Sequence, residues 1–325
     1  MVTFVRPASE VPLVYPIASA RSSTADDPRD QEVIRAVPLR HPLRWISSVV
    51  ILVLVFLFLF GVFTNGAYRW DLYRKYVWDK RISQAALITV DMTGLSMLLG
   101  ILLGVLLAVM RLSPNPVLRA VSWAHLWFFR GTPVYVQLVF WGLFTTIYKH
   151  VGFGIPFVHQ FVHFDLLNIE GLFWFAVIGL GLNEGAYMAE IVRAGISSVG
   201  DGQVEAATAL GMGWGLTMRR VVLPQAMRVI IPPTGNELIS MLKTTSLVVA
   251  LPYGFDLYNR AHDISVPIFQ PVPLLLVAST WYIAISSVLM IGQYYLEKYF
   301  ARGTSRKMTG RQRRAMAAVD RDARA

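Results

Sequence analysis

Several charged and polar residues of this 325-residue chain stand inside stretches that are otherwise strongly apolar. Glu184 lies in the apolar run 171–191, Arg130 in the run 121–148, and Lys243 in the run 228–251. A charge in such a run is costly unless it faces protein or water, so these residues are candidates for a polar path through the molecule. The candidate path consists of Asn183, Glu184, Tyr187, Arg130, Thr132, Lys243, Thr245 and Ser246.

Two of these residues have alternative roles that the sequence leaves open. Glu184 could pair with the ammonium or guanidinium group of a substrate. It could instead form an internal hydrogen bond, or a salt bridge with Arg130 or Lys243, that holds two helices together. Arg130 precedes Gly131, Thr132 and Pro133, so it either faces protein or water beside a helix break or marks a helix end at the cytoplasmic surface.

Other chemistry is poorly supported. His150, His159 and His163 lack a neighbouring carboxylate pattern, so interfacial histidines are favoured over a metal site. The absence of cysteine excludes disulfides and metal–thiolate sites. We find no catalytic triad and no phosphate-binding loop of the Gly-x4-Gly-Lys-Ser/Thr type, so the sequence predicts no enzyme and no cofactor in this chain. Any ATP and Mg²⁺ would be bound by a partner subunit.

The composition predicts an all-α integral membrane protein. Hydrophobic residues make up 55% of the chain and charged residues only 15%, and the mean hydropathy is +0.50. Because about twenty apolar residues cross a bilayer as a helix, we expect about six transmembrane helices. They are 45–64, 85–110, 121–148, 171–191, 228–251 and 273–295. Small residues recur every four positions from Ser96 to Ala108 and from Gly181 to Ala189, which predicts two close-packing helix faces.

The sequence predicts five parts along the chain. The five parts are a disordered cytoplasmic leader (1–44), an extra N-terminal transmembrane helix (45–64), an interfacial external segment (65–82), a transmembrane domain (83–303) and a basic cytoplasmic tail (304–325). With six spans both termini share a face, and that face carries 21 of the 30 Lys and Arg residues. The positive-inside tendency therefore places both termini in the cytoplasm. Flanking of membrane helices also explains the excess of basic residues, so we predict no nucleic-acid binding.

A helix–elbow–helix is predicted at 200–224, on the same cytoplasmic face. Asp201 is the expected N-cap, Gly211 suits a left-handed helix end, and Pro224 can open the next helix. An ordered segment of this length is long for a connector. From the residues alone it is either a surface-lying connector or an element that docks into a groove of another protein.

The elbow and its flanks resemble the ABC importer permeases, and within them the polar amino-acid uptake branch. The resemblance covers about 83–303 and rests on several motifs: Glu205-Ala206-Ala207 with Gly211 and Val221-x-Leu223-Pro224; Phe129-Arg130-Gly131-Thr132-Pro133 with Gln137; Ala186-Tyr187-x-Ala189-Glu190; and Lys243-x-Thr245-Ser246. The chain departs from the pattern in the extension 1–64, in Asp256-Leu257 where Glu-Leu is common, and in Thr244 where Asp is frequent.

The resemblance implies a permease subunit of an ATP-driven importer for polar or charged amino acids, in a bacterial inner membrane. Its implied partners are a cytoplasmic ATPase dimer, an extracytoplasmic amino-acid-binding protein, a second permease copy or paralogue, and the lipid bilayer. Alternating access would be driven through an ATPase-coupling set formed by Glu205, Ala206, Ala207, Gly211, Val221, Leu223 and Pro224.

Two other functions compete with this one. An ion-coupled secondary amino-acid transporter would use membrane carboxylates such as Asp91 and Glu184. A membrane anchor or sensor subunit would not transport at all.

Overall fold

The computed structural model describes residues 42–148, 150–155, 159–165 and 169–300, and the described chain is almost entirely helical, which confirms the predicted all-α membrane fold. Most of the predicted leader and the whole predicted tail lie outside these residues. The helices are α1 (Pro42–Thr64), α2 (Trp70–Tyr76), α3 (Lys80–Leu112), α4 (Pro116–Gly131), α5 (Val134–Ile147), α6 (Ile169–Ser197), α7 (Asp201–Ala209), α8 (Trp214–Thr217), α9 (Leu223–Thr244), α10 (Leu257–Ser265) and α11 (Pro271–Phe300). Short 3₁₀ turns cover Gly66–Tyr68 and Thr245–Ala250, and a π-helical turn covers Met218–Val222.

Four helices of the described chain are long and apolar enough to cross a membrane: Trp45–Thr64, Lys80–Leu112, Gly171–Ser197 and Pro271–Phe300. They coincide with four of the six predicted spans. The other two, 121–148 and 228–251, are helical but interrupted. The first is divided into α4 and α5, and the second ends α9 at Thr244 and continues as the 3₁₀ turn.

The interruption between α4 and α5 follows from Pro133. The residue before a proline is driven away from the α region, and Thr132 accordingly has φ −115° and ψ 142°. Carbonyls freed by such a break must find donors inside a membrane protein. The Gln137 side chain supplies them, donating to the carbonyls of Phe129 and Thr132 at 3.0 Å each. The break is thus a built feature of the fold.

Helices α3 and α6 pack closely along their small-residue faces, as the spacing predicts. Ser96 and Ala108 are fully buried, and a Cβ added at Gly100 would lie 2.6 Å from the Cγ atom of Glu184. Gly104 lies against Met188 in the same way, four residues later on both helices. The two helices therefore run in the same direction, as expected for the second and fourth of alternating spans.

Helix α1 stands apart in its exposure, because none of its most apolar window is buried. Its end meets the segment 65–82, where Phe63 stacks on Trp70 with ring centroids 5.3 Å apart. The segment then packs on α11, and the indole of Trp281 donates to the carbonyl of Val77 at 2.9 Å. An apolar helix exposed along its length is suited to contact lipid.

Two connections between the long helices have regular structure of their own. Between α5 and α6, strands β1 (His150–Ile155) and β2 (His159–Asp165) form an antiparallel hairpin. His159 and His163 both lie on β2. Between the 3₁₀ turn Thr245–Ala250 and α11, the backbone forms α10, whose N-cap is Asp256.

Candidate functional site

A cavity of about 620 Å³ lies where the α4–α5 break faces α6 and α9. Three sequence-distant segments meet there, and each contributes polar groups. The lining residues are Arg130, Gly131, Thr132, Pro133, Val134, Leu180, Asn183, Glu184, Tyr187, Glu237, Ser240, Met241 and Thr244. Five members of the predicted polar path, Arg130, Thr132, Asn183, Glu184 and Tyr187, are brought together in this cavity.

A hydrogen-bond network fixes one wall of the cavity. The Gln137 amide donates to the Thr132 hydroxyl at 2.7 Å, and its own oxygen accepts from the Asn183 side chain at 3.1 Å. Asn183 also donates to the carbonyl of Phe129 at 3.0 Å. Asn183 therefore ties α6 to the broken segment, and its amide hydrogens are engaged in positioning that wall.

Among the described residues, no salt bridge involves the charged groups that line the cavity. Glu184 is 5% exposed, and its Oε1 atom has no hydrogen-bond partner among the described residues. The guanidinium of Arg130 lies 5.5 Å from the centre of the Tyr187 ring, a cation–π contact. Within the described chain, no salt bridge joins Glu184 to Arg130 or Lys243. A buried, unsatisfied carboxylate is costly, and a ligand that pairs with it would relieve that cost.

The carboxylate of Glu237 adds a second acidic group to the same cavity. Glu237, Ser240, Met241 and Thr244 recur at three- and four-residue spacing and form one face of α9 that lines the cavity. They are not members of the predicted path, because the periodicity shows that they share a helix face but does not show that this face turns toward the cavity. Thr244, noted above as a departure from the family pattern, is on this face.

Three members of the predicted path do not line the cavity. Lys243 is exposed on another face of α9. The Thr245 hydroxyl is buried and donates to the carbonyl of Leu242 at 2.6 Å, while the Ser246 hydroxyl donates to the carbonyl of Lys243 at 2.7 Å. The hydroxyls of Thr245 and Ser246 therefore satisfy local backbone at the helix end, where the chain tightens into the 3₁₀ turn.

The elbow has the predicted bend at Gly211. This residue has φ +77°, and the amide of Met212 donates to the carbonyl of Ala207 at 3.0 Å while that of Gly211 donates to Thr208 at 2.9 Å. These two bonds form a Schellman cap, for which glycine is the favoured residue. The N-terminal prediction is wrong by one position, because Gly200 is the N-cap and Asp201 lies in the first turn of α7. A carboxylate in the first turn is favourable for the helix dipole.

The remaining elbow residues are arranged on a largely exposed surface. Glu205 and Ala206 are exposed, whereas Ala207 is 4% exposed and packs inward. After the bend the chain is helical without a gap from Trp214 to Thr244, with Val221 in the π turn and Leu223 and Pro224 in the first turn of α9. Leu210 and Trp214, 82% and 77% exposed, present large apolar side chains on the outside. The elbow is thus ordered and continuous with α9, and its exposed surface carries the large apolar side chains of Leu210 and Trp214 beside the charged Glu205.

Comparison with known proteins identifies the family. Residues 100–302, well over half of the chain, match the family described as "Binding-protein-dependent transport system inner membrane component". The chain belongs to this family. It is a multi-pass inner-membrane permease with helices long enough to span the bilayer.

Two curated relatives are informative. The permease is 58% identical over 285 residues to the "Arginine transport system permease protein ArgU" of Corynebacterium glutamicum, covering 87% of this chain and 88% of that protein. It is 32% identical over 213 residues to the "Arginine transport system permease protein ArtQ" of Bacillus subtilis, covering 65% of this chain and 89% of that protein. The match to the first relative is longer than the predicted domain 83–303, so the similarity extends beyond that domain.

Solved structures agree with this assignment. A chain of the "Crystal structure of an amino acid ABC transporter with histidines" matches with a TM-score of 0.56 and 29% identity, over 67% of this permease and 94% of that chain. A chain of an inward-facing structure of the MetNI methionine ABC transporter matches with a TM-score of 0.53 and 16% identity, over 68% of this permease and 96% of that chain. At that identity, the second likeness supports the fold alone.

Proposed function

We propose that this permease forms the membrane pathway of an ATP-driven importer for cationic amino acids of the arginine class. The observation that carries the proposal is the buried, unpartnered carboxylate of Glu184 in a cavity that also holds Glu237 and Arg130. The names of the two arginine-permease relatives support the same substrate class.

The cavity chemistry matches both ends of such a substrate. The α-carboxylate would lie near Arg130, whose guanidinium can donate two hydrogen bonds to a carboxylate. The guanidinium or ammonium group at the other end would lie between Glu184 and Glu237. Pairing a cation with a buried carboxylate removes an unfavourable desolvated charge, so a neutral isostere of the substrate side chain would bind more weakly.

The elbow is proposed to couple this cavity to a separate ATPase dimer that binds ATP and Mg²⁺. Glu205, Ala206 and Gly211 would shape the docking surface, and the continuous helix from Trp214 to Thr244 would carry its movement to the cavity face of α9. Coupling requires that the closed ATPase dimer favour the outward-facing permease, since no movement follows without that difference in free energy. The permease itself then needs no nucleotide site or cofactor.

The proposed orientation has both termini and the elbow in the cytoplasm, in accord with the Lys and Arg distribution. An extracytoplasmic binding protein would deliver the amino acid to the opposite face. A second permease copy or paralogue would complete the pathway.

Substrate contact is tested by uptake of labelled arginine into proteoliposomes that hold the complete importer. We expect Glu184→Gln and Glu237→Gln each to raise KM for arginine or lower the rate at least tenfold, because each removes a charge from the cavity. Asp91→Asn is the matched control, since Asp91 is exposed on α3 and does not line the cavity. Unchanged KM and rate in both glutamine variants would refute the proposed contact, and a loss confined to Asp91→Asn would favour an ion-coupled transporter.

A further inference from the structure

A second, apolar groove of about 800 Å³ is formed by the end of α3, the end of α6, and α8 with the start of α9. Its lining is almost free of polar side chains and includes Val105, Val109, Val192, Ile196, Trp214 and Met227. Val105 and Val109 are 44% and 54% exposed, so the groove is open along α3. None of its lining residues lines the polar cavity described above.

The groove has the length of one leaflet of a bilayer. On α3 its lining extends from Ile101 to Leu112, a rise of about 16 Å at 1.5 Å per residue. The hydrocarbon core of a bilayer is about 30 Å thick, so this rise corresponds to roughly half of it. At the end where α3 terminates, the lining consists of Ser113, Pro114 and the 77% exposed Trp214. An exposed tryptophan at such an end is typical of the headgroup layer.

Positive charge is concentrated at this same end of the groove. Arg111 precedes the lining residue Leu112, and Arg219 and Arg220 follow the lining residue Met218. Arg219 and Arg220 are exposed, and none of the three arginines has an acidic partner within the described ranges. The groove therefore combines an apolar channel with three arginines that lie within two residues of its lining residues in sequence and form no salt bridge within the described ranges.

We propose that this groove binds an anionic phospholipid of the cytoplasmic leaflet. One acyl chain lies along Val105 and Val109, and the headgroup phosphate is held by Arg219 and Arg220 with Arg111 beside them. Basic pockets between transmembrane helices on the cytoplasmic side suit anionic headgroups. A zwitterionic lipid would fill the same apolar channel but would gain less from the three positive charges. The inference rests on the cytoplasmic placement of the elbow proposed above.

Native mass spectrometry of the complete permease, exchanged into an equimolar mixture of phosphatidylglycerol and phosphatidylcholine, tests the inference. The wild-type permease is expected to retain one lipid molecule, and to retain phosphatidylglycerol at least five times as often as phosphatidylcholine. Arg219→Gln/Arg220→Gln should lose that preference, because it removes the headgroup contacts. Val105→Trp should reduce retention of either lipid at least fivefold, because it fills the channel; if that protein is not monodisperse, the double glutamine variant decides.

Matched controls separate the groove from general effects of charge and bulk. Arg119→Gln/Lys298→Gln removes two positive charges near the same predicted membrane face, and Leu102→Trp places the same indole side chain on α3 outside the lining. Both variants should keep the wild-type preference. The proposal is overturned if the control variants lose lipid retention or the phosphatidylglycerol preference as strongly as the groove variants do. It is also overturned if the wild-type permease shows no preference for phosphatidylglycerol.

A second copy of the chain on the groove would also overturn it. The chain has no cysteine, so single cysteines can be placed freely. Val105→Cys forming disulfide-linked dimers in a bilayer, while Leu102→Cys does not, would show that a protein covers the groove. Transport is not part of these readouts, so failure of arginine uptake with intact lipid preference would count against the proposed function alone.

Discussion

Glu184 shows how one residue can be recognised in the sequence and explained only by the structure. Its position in an apolar run marks it as costly, but the run does not reveal whether a partner satisfies it. In the structure, α3 lies against it through Gly100, and the two alternative internal partners, Arg130 and Lys243, form no salt bridge with it. The carboxyl group thus remains available to a ligand, a conclusion that depends on packing between distant segments.

Asp256 is a second buried carboxylate, in the connection outside the spans. It is fully buried and accepts hydrogen bonds from Asn259, with a distance of 3.2 Å to the backbone amide. Burial raises the pKa of Asp256 from 3.8 to about 6, although the hydrogen bonds from Asn259 oppose the rise. Because the folded state holds the proton more tightly than the unfolded state, stability from this group is present at low pH and is lost as pH rises from about 4 to 6.

A pH-dependent stability measurement checks this residue. The free energy of unfolding of wild type minus that of Asp256→Asn should fall by up to about 3 kcal/mol between pH 4 and pH 7, since two pKa units correspond to roughly that energy. Taking the difference cancels other titrating groups. Thermal unfolding of both proteins in the same detergent provides the comparison, and a difference that does not change with pH would contradict the assignment.

At the scale of elements, the breaks and caps that local chemistry controls could be predicted from the sequence. Thr132 before Pro133 leaves the helical region for steric reasons that involve only neighbouring residues, and Gly211 takes a positive φ that other residues adopt at a cost. The cavity face of α9 could not be established in the same way. Glu237 and Ser240 line the cavity because of the rotation of α9 against α6, which nonlocal packing decides.

The hairpin β1–β2 was not predicted, because its strands also depend on nonlocal contacts. Its sequence mixes glycine, histidine and aromatic residues without clear alternation, and its strands are defined by pairing across a turn, with an irregularity between Phe153 and Gly154. Strand propensity depends strongly on such context. Helical runs of twenty apolar residues carry a much stronger local signal, so the long spans were located within a few residues.

The elbow prediction is tested by adding a β-branched side chain at its bend. Gly211→Val forces valine into φ near +77°, which costs about 1–2 kcal/mol and should displace the docking surface. We expect transport by the complete importer to fall at least fivefold, with weaker stimulation of ATP hydrolysis by substrate. The control Gly213→Val adds the same volume in the same elbow at φ −68°, where a Cβ has open space. Normal coupling in Gly211→Val would argue against the role of the bend.

At the scale of the whole molecule, α6 and α9 each line two different cavities along their length. Their middle parts face the polar cavity at the α4–α5 break, whereas the end of α6 and the start of α9 face the apolar groove beside α3. The elbow joins α6 to α9 and is continuous with the latter. A movement imposed on the elbow would therefore reach the cavity along one continuous stretch of helix, from Trp214 to Thr244.

Labelled arginine uptake without ion gradients tests most directly whether a partner ATPase drives import through this permease. Proteoliposomes holding the permease, its ATPase and its binding protein would be treated with ionophores and supplied with ATP or with ADP. The proposal predicts arginine accumulation with ATP, none with ADP, and at least a tenfold loss in Glu184→Gln. Accumulation that needs a proton or sodium gradient and proceeds without ATP would contradict it.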